Sequence, residues 1–277
     1  WGLPLDRAWV SALRTDPKNS ELLDRAFISA LAEGDIAAAV KLADRILTID
    51  KSNRVARLVV GVHNLKMKKY AAAQKNINQS VRGPITDLVA TLLSGWASYG
   101  AGDTKEAVAN IDKLTGPEWY PIFKDLHSGM LLDLAGKEKD AGVRLERAYK
   151  LDNSALRVAD AYARWLSRNK DDAAALAIYE AYDNKLARHP LVQEGIKETK
   201  AGKKLPQLVD SPQTGAAEAL YGIGASLTRR GGEDLALVYL QLAIYLAPNH
   251  PMALLSLADL YESVKKPEMS ISGYERM

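Results

Sequence analysis

Residues 242–251 read LAIYLAPNHP, and this stretch decides the fold. Its apolar part is built mainly from Leu and Ala, which are strong helix formers. Pro248 cannot continue a helix, and Pro251 follows it three positions later. The stretch therefore indicates the end of one helix, a short turn and the start of the next helix.

Small residues recur along the chain at a fixed interval. Outward from this stretch, Ala236 and Ser270 are 34 residues apart. The same interval separates five earlier alanines, which are Ala39, Ala73, Ala107, Ala141 and Ala175. A parallel register holds Gly34, Gly102 and Gly136, with Lys68 and Lys170 in place of glycine. A fixed period of this length predicts stacked copies of one helical hairpin, with the alanine inside the second helix and the glycine in the tight turn.

These registers resemble those of the tetratricopeptide-repeat (TPR) family over nearly the whole chain. The family has a small residue at position 8 of each repeat, and this chain has Gly61, Gly95, Gly129, Ala163, Gly224 and Ala258 there. Position 27 is Ala148 and Ala243 in two repeats, and position 32 is Pro248, whereas Phe27 departs from the small-residue rule at position 8. The resemblance implies an all-α fold, a right-handed α-solenoid of antiparallel helix hairpins that stack into a TPR superhelix.

The register divides the chain into four parts. Residues 1–19 are predicted to be a half repeat consisting of a second helix, and residues 20–189 to be five complete repeats. Residues 190–216 break the period and predict a helix followed by a proline-containing connecting loop. Residues 217–277 are predicted to hold one complete and one partial repeat, truncated at the C-terminus. Because the chain begins at Trp1 without an initiator Met and stops within a helical pattern, we expect a fragment of a longer protein.

Composition excludes several classes of function. The 37 basic and 34 acidic residues are interspersed, and the net charge of +3 is too small to indicate a nucleic-acid partner. The absence of cysteine excludes disulfides and cysteine-ligated zinc. No apolar stretch approaches the roughly 18 residues that a membrane-spanning helix needs, so no transmembrane segment is expected.

The resemblance implies a concave face lined by the first helix of each hairpin, chiefly at repeat positions 2, 5, 9 and 12. In repeats two to four these positions are mainly apolar, and we predict partner binding by Leu58, Val62, Leu92, Trp96, Tyr99, Leu126 and Met130. An exposed apolar patch of this size typically marks an interaction site. The alternative is that some of these residues pack against neighbouring first helices inside the stack.

Repeat five is different because its first helix carries Arg157, Asp160, Arg164 and Arg168. Arginines at three- and four-residue spacing share one side of a helix, so Arg157, Arg164 and Arg168 are further candidates for binding a partner's carboxylates or phosphate. The alternative is a solvated face with local ion pairs. The lysine and asparagine with which some TPR proteins hold a C-terminal carboxylate are absent from the matching positions, which hold Asp24 and Ile28 in the first repeat.

The connection after repeat five also leaves two interpretations open. Its segment KKLPQLVDSPQTG carries two prolines and is predicted to be extended. It is either a surface connection, or Leu205, Leu208 and Val209 fill the chain's own groove.

The sequence carries none of the common catalytic motifs. The four histidines are too far apart for metal-ligand spacing, and we expect them to be surface or capping residues. No phosphate loop, dinucleotide fingerprint or nucleophile elbow is present. We therefore predict no enzyme activity, no metal and no cofactor.

The leading hypothesis is a protein–protein interaction scaffold that binds a partner peptide or helix in its concave groove. One alternative is the recognition arm of a larger enzyme whose catalytic domain lies outside this sequence, and another is an envelope factor for lipid or polysaccharide assembly. Stretches such as GGEDLALVYLQLAIYLAPNHP resemble exported alphaproteobacterial TPR proteins, which favours a periplasmic or cell-envelope location over the cytoplasm. The sequence leaves the partner and the oligomeric state open.

Overall fold

A computed structural model describes residues 8–228, 231–263 and 270. Every regular element in this described part is an α-helix, so the predicted all-α fold is confirmed. The first seven residues of the predicted half repeat, and all but Ser270 of the last partial repeat beyond Ser263, lie outside the described residues. The helices are α1 Ala8–Thr15, α2 Ser20–Glu33, α3 Ile36–Ile49, α4 Arg54–Lys66, α5 Tyr70–Asn78, α6 Pro84–Gly100, α7 Thr104–Lys113, α8 Tyr120–Leu134, α9 Glu138–Leu151, α10 Leu156–Asn169, α11 Asp172–Asp183, α12 Pro190–Lys200, α13 Pro212–Leu227, α14 Glu233–Leu246 and α15 Pro251–Ser263.

Short polar side chains start many of these helices. An Asn or Asp at the N-cap accepts a hydrogen bond from a backbone N–H of the first turn, which would otherwise lack a partner. Asn19 starts α2, Asp35 starts α3, Asn53 starts α4 and Asp171 starts α11 in this way. The starts of these four helices therefore follow from local sequence.

The alanine register lies where the sequence predicts it, inside the second helices. All five alanines from Ala39 to Ala175, and Ala236 in α14, are fully buried. The glycines at position 8 permit the close approach of each first helix to its second helix. A Cβ at Gly61 would lie 2.6 Å from Cγ1 of Ile77, and one at Gly129 would lie 2.7 Å from Cδ2 of Leu145. Small residues at these crossings are therefore a steric requirement.

The glycine register marks turns with left-handed backbone. Gly34, Gly102 and Gly136 have φ angles of 75°, 94° and 70°. Lys68 adopts the same region with φ 59°, although a side chain there is strained. Lys170 does not, because its φ is −125°. The fifth turn thus differs from the others in geometry as well as in sequence.

Above the level of the repeats, the chain divides into two compact units. Unit 1 consists of residues 1–97 and 216–277, and unit 2 of residues 98–215. The first boundary falls inside α6, the first helix of repeat three, which the repeat register does not indicate. The sequence therefore sets the hairpins but not this larger grouping.

Unit 1 brings the last complete repeat onto the first two. Helix α14 packs against α2, α3 and α4. The Nε2 atom of Gln241 donates to the backbone oxygen of Ala32 at 3.2 Å, and the hydroxyl of Tyr261 donates to the same oxygen. Residues more than 200 positions apart are therefore joined within unit 1.

Unit 2 contains the segment that interrupts the repeat period. Helix α12 packs against α11, and a Cβ at Gly195 would lie 2.6 Å from the ring of Tyr179. After α12 the chain has no regular structure from Lys203 to Asp210. This extended segment is part of the candidate site described next.

Candidate functional site

The apolar residues predicted to line an exposed groove are mostly buried. Trp96, Val62 and Leu92 have 0% exposed surface, and Leu58, Leu126 and Met130 are also in the core. Only Tyr99 is half-buried, and burial raises the pKa of its hydroxyl. The expectation of an exposed apolar wall is therefore wrong, and the alternative of packing inside the protein describes these side chains. The physical reason is the free energy gained when large apolar side chains leave water.

In unit 1, α14 covers the helix that carries Leu58 and Val62. The hydroxyl of Tyr245 lies 2.8 Å from Nδ1 of His63. Lys66 donates from Nζ to the backbone oxygens of Tyr245 and Leu246, at 2.8 and 3.2 Å. These contacts place α14 along α4, where the sequence predicts a binding site for a partner.

The ten predicted site residues are divided between the two units. Leu58, Val62, Leu92 and Trp96 belong to unit 1. Tyr99, Leu126 and Met130 and the three arginines belong to unit 2. Their role in partner binding stays a prediction, and each unit has to be considered separately.

In unit 2, the arginines of α10 surround a buried carboxylate. Asp160 is 2% exposed, and it accepts from Nε of Arg164 at 2.8 Å and from Nη1 of Arg157 at 3.1 Å. The hydroxyl of Tyr179 donates to the same carboxylate at 2.7 Å. Burial is the largest single influence and acts to lower the pKa of Arg164, but the charges of Asp160 and Tyr179 and the hydrogen bond to Asp160 together outweigh it, so the net shift is upward. Local ion pairs therefore occupy much of the hydrogen-bonding capacity that the sequence assigned to a partner.

Arg164 and Arg168 also donate hydrogen bonds to an extended segment of the same chain. Arg168 donates from Nη1 to the backbone oxygen of Leu205 at 2.9 Å, and Arg164 from Nη1 to that of Pro206 at 3.3 Å. The backbone N–H of Leu205 donates to Oγ of Ser167 at 3.2 Å. Arginine side chains of α10 thus bind main-chain carbonyl groups of this segment.

Helix α8 contributes the second side of this site. Gln207 donates from Nε2 to the backbone oxygen of Asp133 at 2.7 Å, and Arg168 forms an ion pair with the Asp133 carboxylate. Leu205 and Val209 are buried. Leu208 is half-buried. Residues 204–209, called the internal segment below, therefore lie across the first helices of repeats four and five and are not a free surface connection.

The sequence predicted that the internal segment is extended, and it left open whether Leu205, Leu208 and Val209 lie on a surface connection or fill the chain's own groove. Its prolines indicated that conformation, but nothing in the spacing paired Gln207 with Asp133 or Leu205 with Ser167. Those partners are separated by 74 and 38 residues along the chain.

A cavity of about 430 Å³ opens in unit 1. Its lining includes Leu58 and Val89 from first helices and Tyr239 from α14, together with Arg54 and Arg82 near the helix starts. The sequence predicted only Leu58 as a site residue here. Arg54 and Arg82 carried no signal because single exposed arginines are common in any helical protein.

The histidines follow two different patterns. His250 caps α15, since its Nδ1 accepts from the backbone N–H of Ala253 at 3.1 Å. His127 is buried in α8, so the expectation of a surface or capping role is wrong for it. Among the described residues, no group of three or more His, Asp or Glu side chains is placed to hold a metal ion. Among the helices that the structure describes, none has the length and apolar character that crossing a bilayer requires.

No protein-family model matches the sequence, and no similar curated protein was found. Solved structures that match this chain include a TPR protein from Parabacteroides merdae, at 11% identity and a TM-score of 0.47, covering 92% of this chain and 91% of that one. The APC/C Cut9–Hcn1 hetero-tetramer matches at 16% identity and a TM-score of 0.43, and MamA matches at 15% and 0.30. These matches cover 97% and 66% of this chain, and 48% and 91% of the respective structures. The chain thus spans about half the length of the Cut9 match.

Proposed function

We propose that this chain is a protein-interaction scaffold whose first helices bind extended segments of a partner protein. One observation carries the proposal: the α8 and α10 face of unit 2 already binds an extended peptide segment, its own residues 204–209. Backbone carbonyl groups are common to every peptide, so arginine donors aimed at them suit peptide recognition in general. Selectivity among partner segments then comes from the apolar side chains that the segment buries against the scaffold.

The chemistry of the face defines what such a partner presents. Arg164 and Arg168 bind two successive carbonyl groups, those of Pro206 and Leu205. Leu205 and Val209 supply two buried apolar side chains four positions apart. A partner segment that binds in the same way would be extended, with large aliphatic residues at that spacing.

The test uses the chain with its internal segment released. Replacing both buried anchors, Leu205→Asp with Val209→Asp, places two charged carboxylates at buried apolar positions and should detach the segment. A fluorescein-labelled peptide of residues 202–211, GKKLPQLVDS, is then titrated and followed by anisotropy. We expect saturable binding to the double variant and none to the wild type, because a tethered segment competes at an effective concentration on the order of millimolar.

Three controls accompany this measurement. A scrambled peptide of the same composition should not bind, and adding Arg168→Gln to the double variant should weaken binding of the native peptide. Circular dichroism must show unchanged helix content in the double variant. A folded double variant that ignores the native peptide, or that binds both peptides equally, would contradict the proposal.

We also propose a periplasmic or cell-envelope location for the scaffold. The global sequence resemblance supports it. Fractionation of the native cell with an antibody against this chain tests it, and recovery in the cytoplasmic fraction alone would contradict it.

A further inference from the structure

The cavity of unit 1 has an apolar wall and a basic rim. Leu58 and Val89 are buried, as is Tyr239, which is 1% exposed. Arg54 begins α4, and Arg82 precedes Pro84, the first residue of α6, so the N-terminal ends of two helices meet at this cavity. Helix N-termini carry partial positive charge, which adds to that of the arginines. Its volume of about 430 Å³ lies within the range of sites that bind small groups.

Two side-chain oxygens at this cavity already accept hydrogen bonds. Oδ1 of Asp50 accepts from the backbone N–H and the hydroxyl of Ser52, at 2.9 and 2.6 Å. These bonds lower the pKa of Asp50, and the charge of Arg54 adds to the shift. Oδ1 of Asn53 accepts from the backbone N–H of Ala56 at 3.0 Å.

The hydroxyl groups at the rim are likewise committed to the backbone. Oγ1 of Thr86 accepts from the N–H of Arg82 at 2.6 Å and donates to the oxygen of Gly83 at 3.0 Å. Ser80 donates from Oγ to the oxygen of Ile77 at 2.6 Å.

What remains at the cavity is a set of unused donors. Within residues 8–228 and 231–263, no ion pair or hydrogen bond reaches the guanidinium groups of Arg82 and Arg54. No described group hydrogen-bonds to the hydroxyl of Tyr239, although its side chain is almost wholly buried and burial raises its pKa. That hydroxyl oxygen is not one of the fully buried side-chain atoms that lack a partner in the described part of the chain, so it is open to the cavity that Tyr239 lines. Since the charge of Arg54 lies close to Asp50, Arg82 is the cation with most capacity for a ligand.

We propose that this cavity binds an acidic side chain next to a large aliphatic side chain in a segment of a partner protein. The carboxylate accepts from Arg82 and from the Tyr239 hydroxyl, and the aliphatic side chain contacts Leu58 and Val89. A peptide suits the rim better than an acyl chain does, because its backbone carbonyl groups can accept from Arg54 and the other remaining donors. The site lies within unit 1 and is independent of the internal segment in unit 2.

The experiment uses the full chain with 13C-labelled Leu and Val methyl groups, observed by NMR. The probe is acetyl-Gly-Leu-Asp-Leu-Gly-amide, and its matched control carries Asn in place of Asp. Leu235 of α14 also lines the cavity, and we expect its methyl signals and those of Leu58 and Val89 to shift saturably with the Asp peptide. The Asn peptide should bind about tenfold more weakly, because hydrogen bonds to a charged group are the stronger ones.

Two variants test whether Arg82 and Tyr239 donate the hydrogen bonds to the peptide carboxylate. Arg82→Gln and Tyr239→Phe should each weaken binding of the Asp peptide by about fivefold or more. Arg14→Gln is the matched control, since Arg14 is an exposed arginine on α1 that does not line the cavity. Methyl signals outside the cavity report whether each variant keeps its fold.

Four results would overturn the proposal. These are no methyl shifts at millimolar peptide, shifts confined to other parts of the protein, equal affinity for the Asp and Asn peptides, and an equal loss of binding in Arg14→Gln. Decanoate is titrated in parallel, and tighter binding of decanoate at the same methyl groups would assign the cavity to a fatty-acid-like ligand instead of a peptide.

Discussion

The ammonium group of Lys66 donates to the backbone oxygen of Tyr245 at 2.8 Å, which joins the end of α4 to the end of α14. Its second bond, to the oxygen of Leu246, engages another carbonyl of the last turn of α14. A cation at this end of a helix is favourable because the last carbonyl groups carry partial negative charge. This contact is one of those that hold a late repeat against a face predicted to be open.

Removing this contact should destabilise unit 1. Lys66→Met keeps the aliphatic part of the side chain and loses both hydrogen bonds, so we expect the free energy of unfolding to fall by about 1–3 kcal/mol. Urea denaturation measures the change, with Lys69→Met as control because Lys69 is exposed and makes no side-chain cap. Equal effects of the two substitutions would mean that the contact contributes nothing specific.

The turn at Lys68 should be improved by glycine. Lys68 has φ 59°, where a side chain is strained, so Lys68→Gly should raise the free energy of unfolding by about 0.5–1 kcal/mol. At Lys170, with φ −125°, the same substitution should lower it, since glycine only adds freedom to the unfolded chain. Thermal denaturation of both variants tests whether the free energy of unfolding rises in Lys68→Gly and falls in Lys170→Gly.

Gly142 should not tolerate even a methyl group. A Cβ there would lie 2.2 Å from Cζ2 of Trp165, whose indole N–H is bonded to the oxygen of Glu138 at 3.0 Å. Although alanine is the better helix former, overpacking of this kind costs about 1–3 kcal/mol, so Gly142→Ala should destabilise the protein. Gly83→Ala, with no neighbouring atom within 4 Å, should leave the denaturant midpoint nearly unchanged.

Asp24 should make stability depend on pH. Partial burial, and secondarily the charge of Asp50, raise the pKa of the Asp24 carboxyl above its ordinary value. The folded state then binds the proton more tightly than the unfolded state, so stability from this group is present at low pH and is lost as pH rises through the raised pKa. Asp24→Asn should therefore stabilise the protein at pH 7 by a few tenths of a kcal/mol, because an exposed charge is screened.

The gain from Asp24→Asn should vanish by about pH 3, where the wild-type carboxyl is protonated in both states. Urea denaturation at both pH values measures it. Asp44→Asn, at an exposed position of α3, is the control. A gain of the same size at both pH values would show that titration of Asp24 is not its cause.

The internal segment should open when Arg168 loses its charge. Arg168→Gln removes the hydrogen bond to Leu205 and the ion pair with Asp133, so amide hydrogen exchange in residues 204–209 should become about tenfold faster. Arg147→Gln is the control, because Arg147 binds Asp125 instead. Unchanged exchange in the Arg168 variant would mean that the apolar anchors alone hold the segment.

Much of the local structure could be predicted from the sequence. Ala39 and its successors reveal the period because each lies at a helix crossing that only a small side chain fits, and Asn53 or Asp171 marks a helix start within a single turn. These signals act over a few residues or recur at one interval. The burial of Val62 and Trp96 could not be predicted in this way, because a residue's position in the repeat does not say which other part of the chain packs on it.

The sequence by itself determined that this protein is a series of helical hairpins, because capping, turn geometry and close helix crossings are properties of neighbouring residues. Only the tertiary structure decided that α14 covers α4, that residues 204–209 lie on α8 and α10, and that Arg82 and Tyr239 share a cavity. Each of these depends on residues far apart in the chain, where many pairings are sterically allowed and the total apolar burial and hydrogen bonding select one.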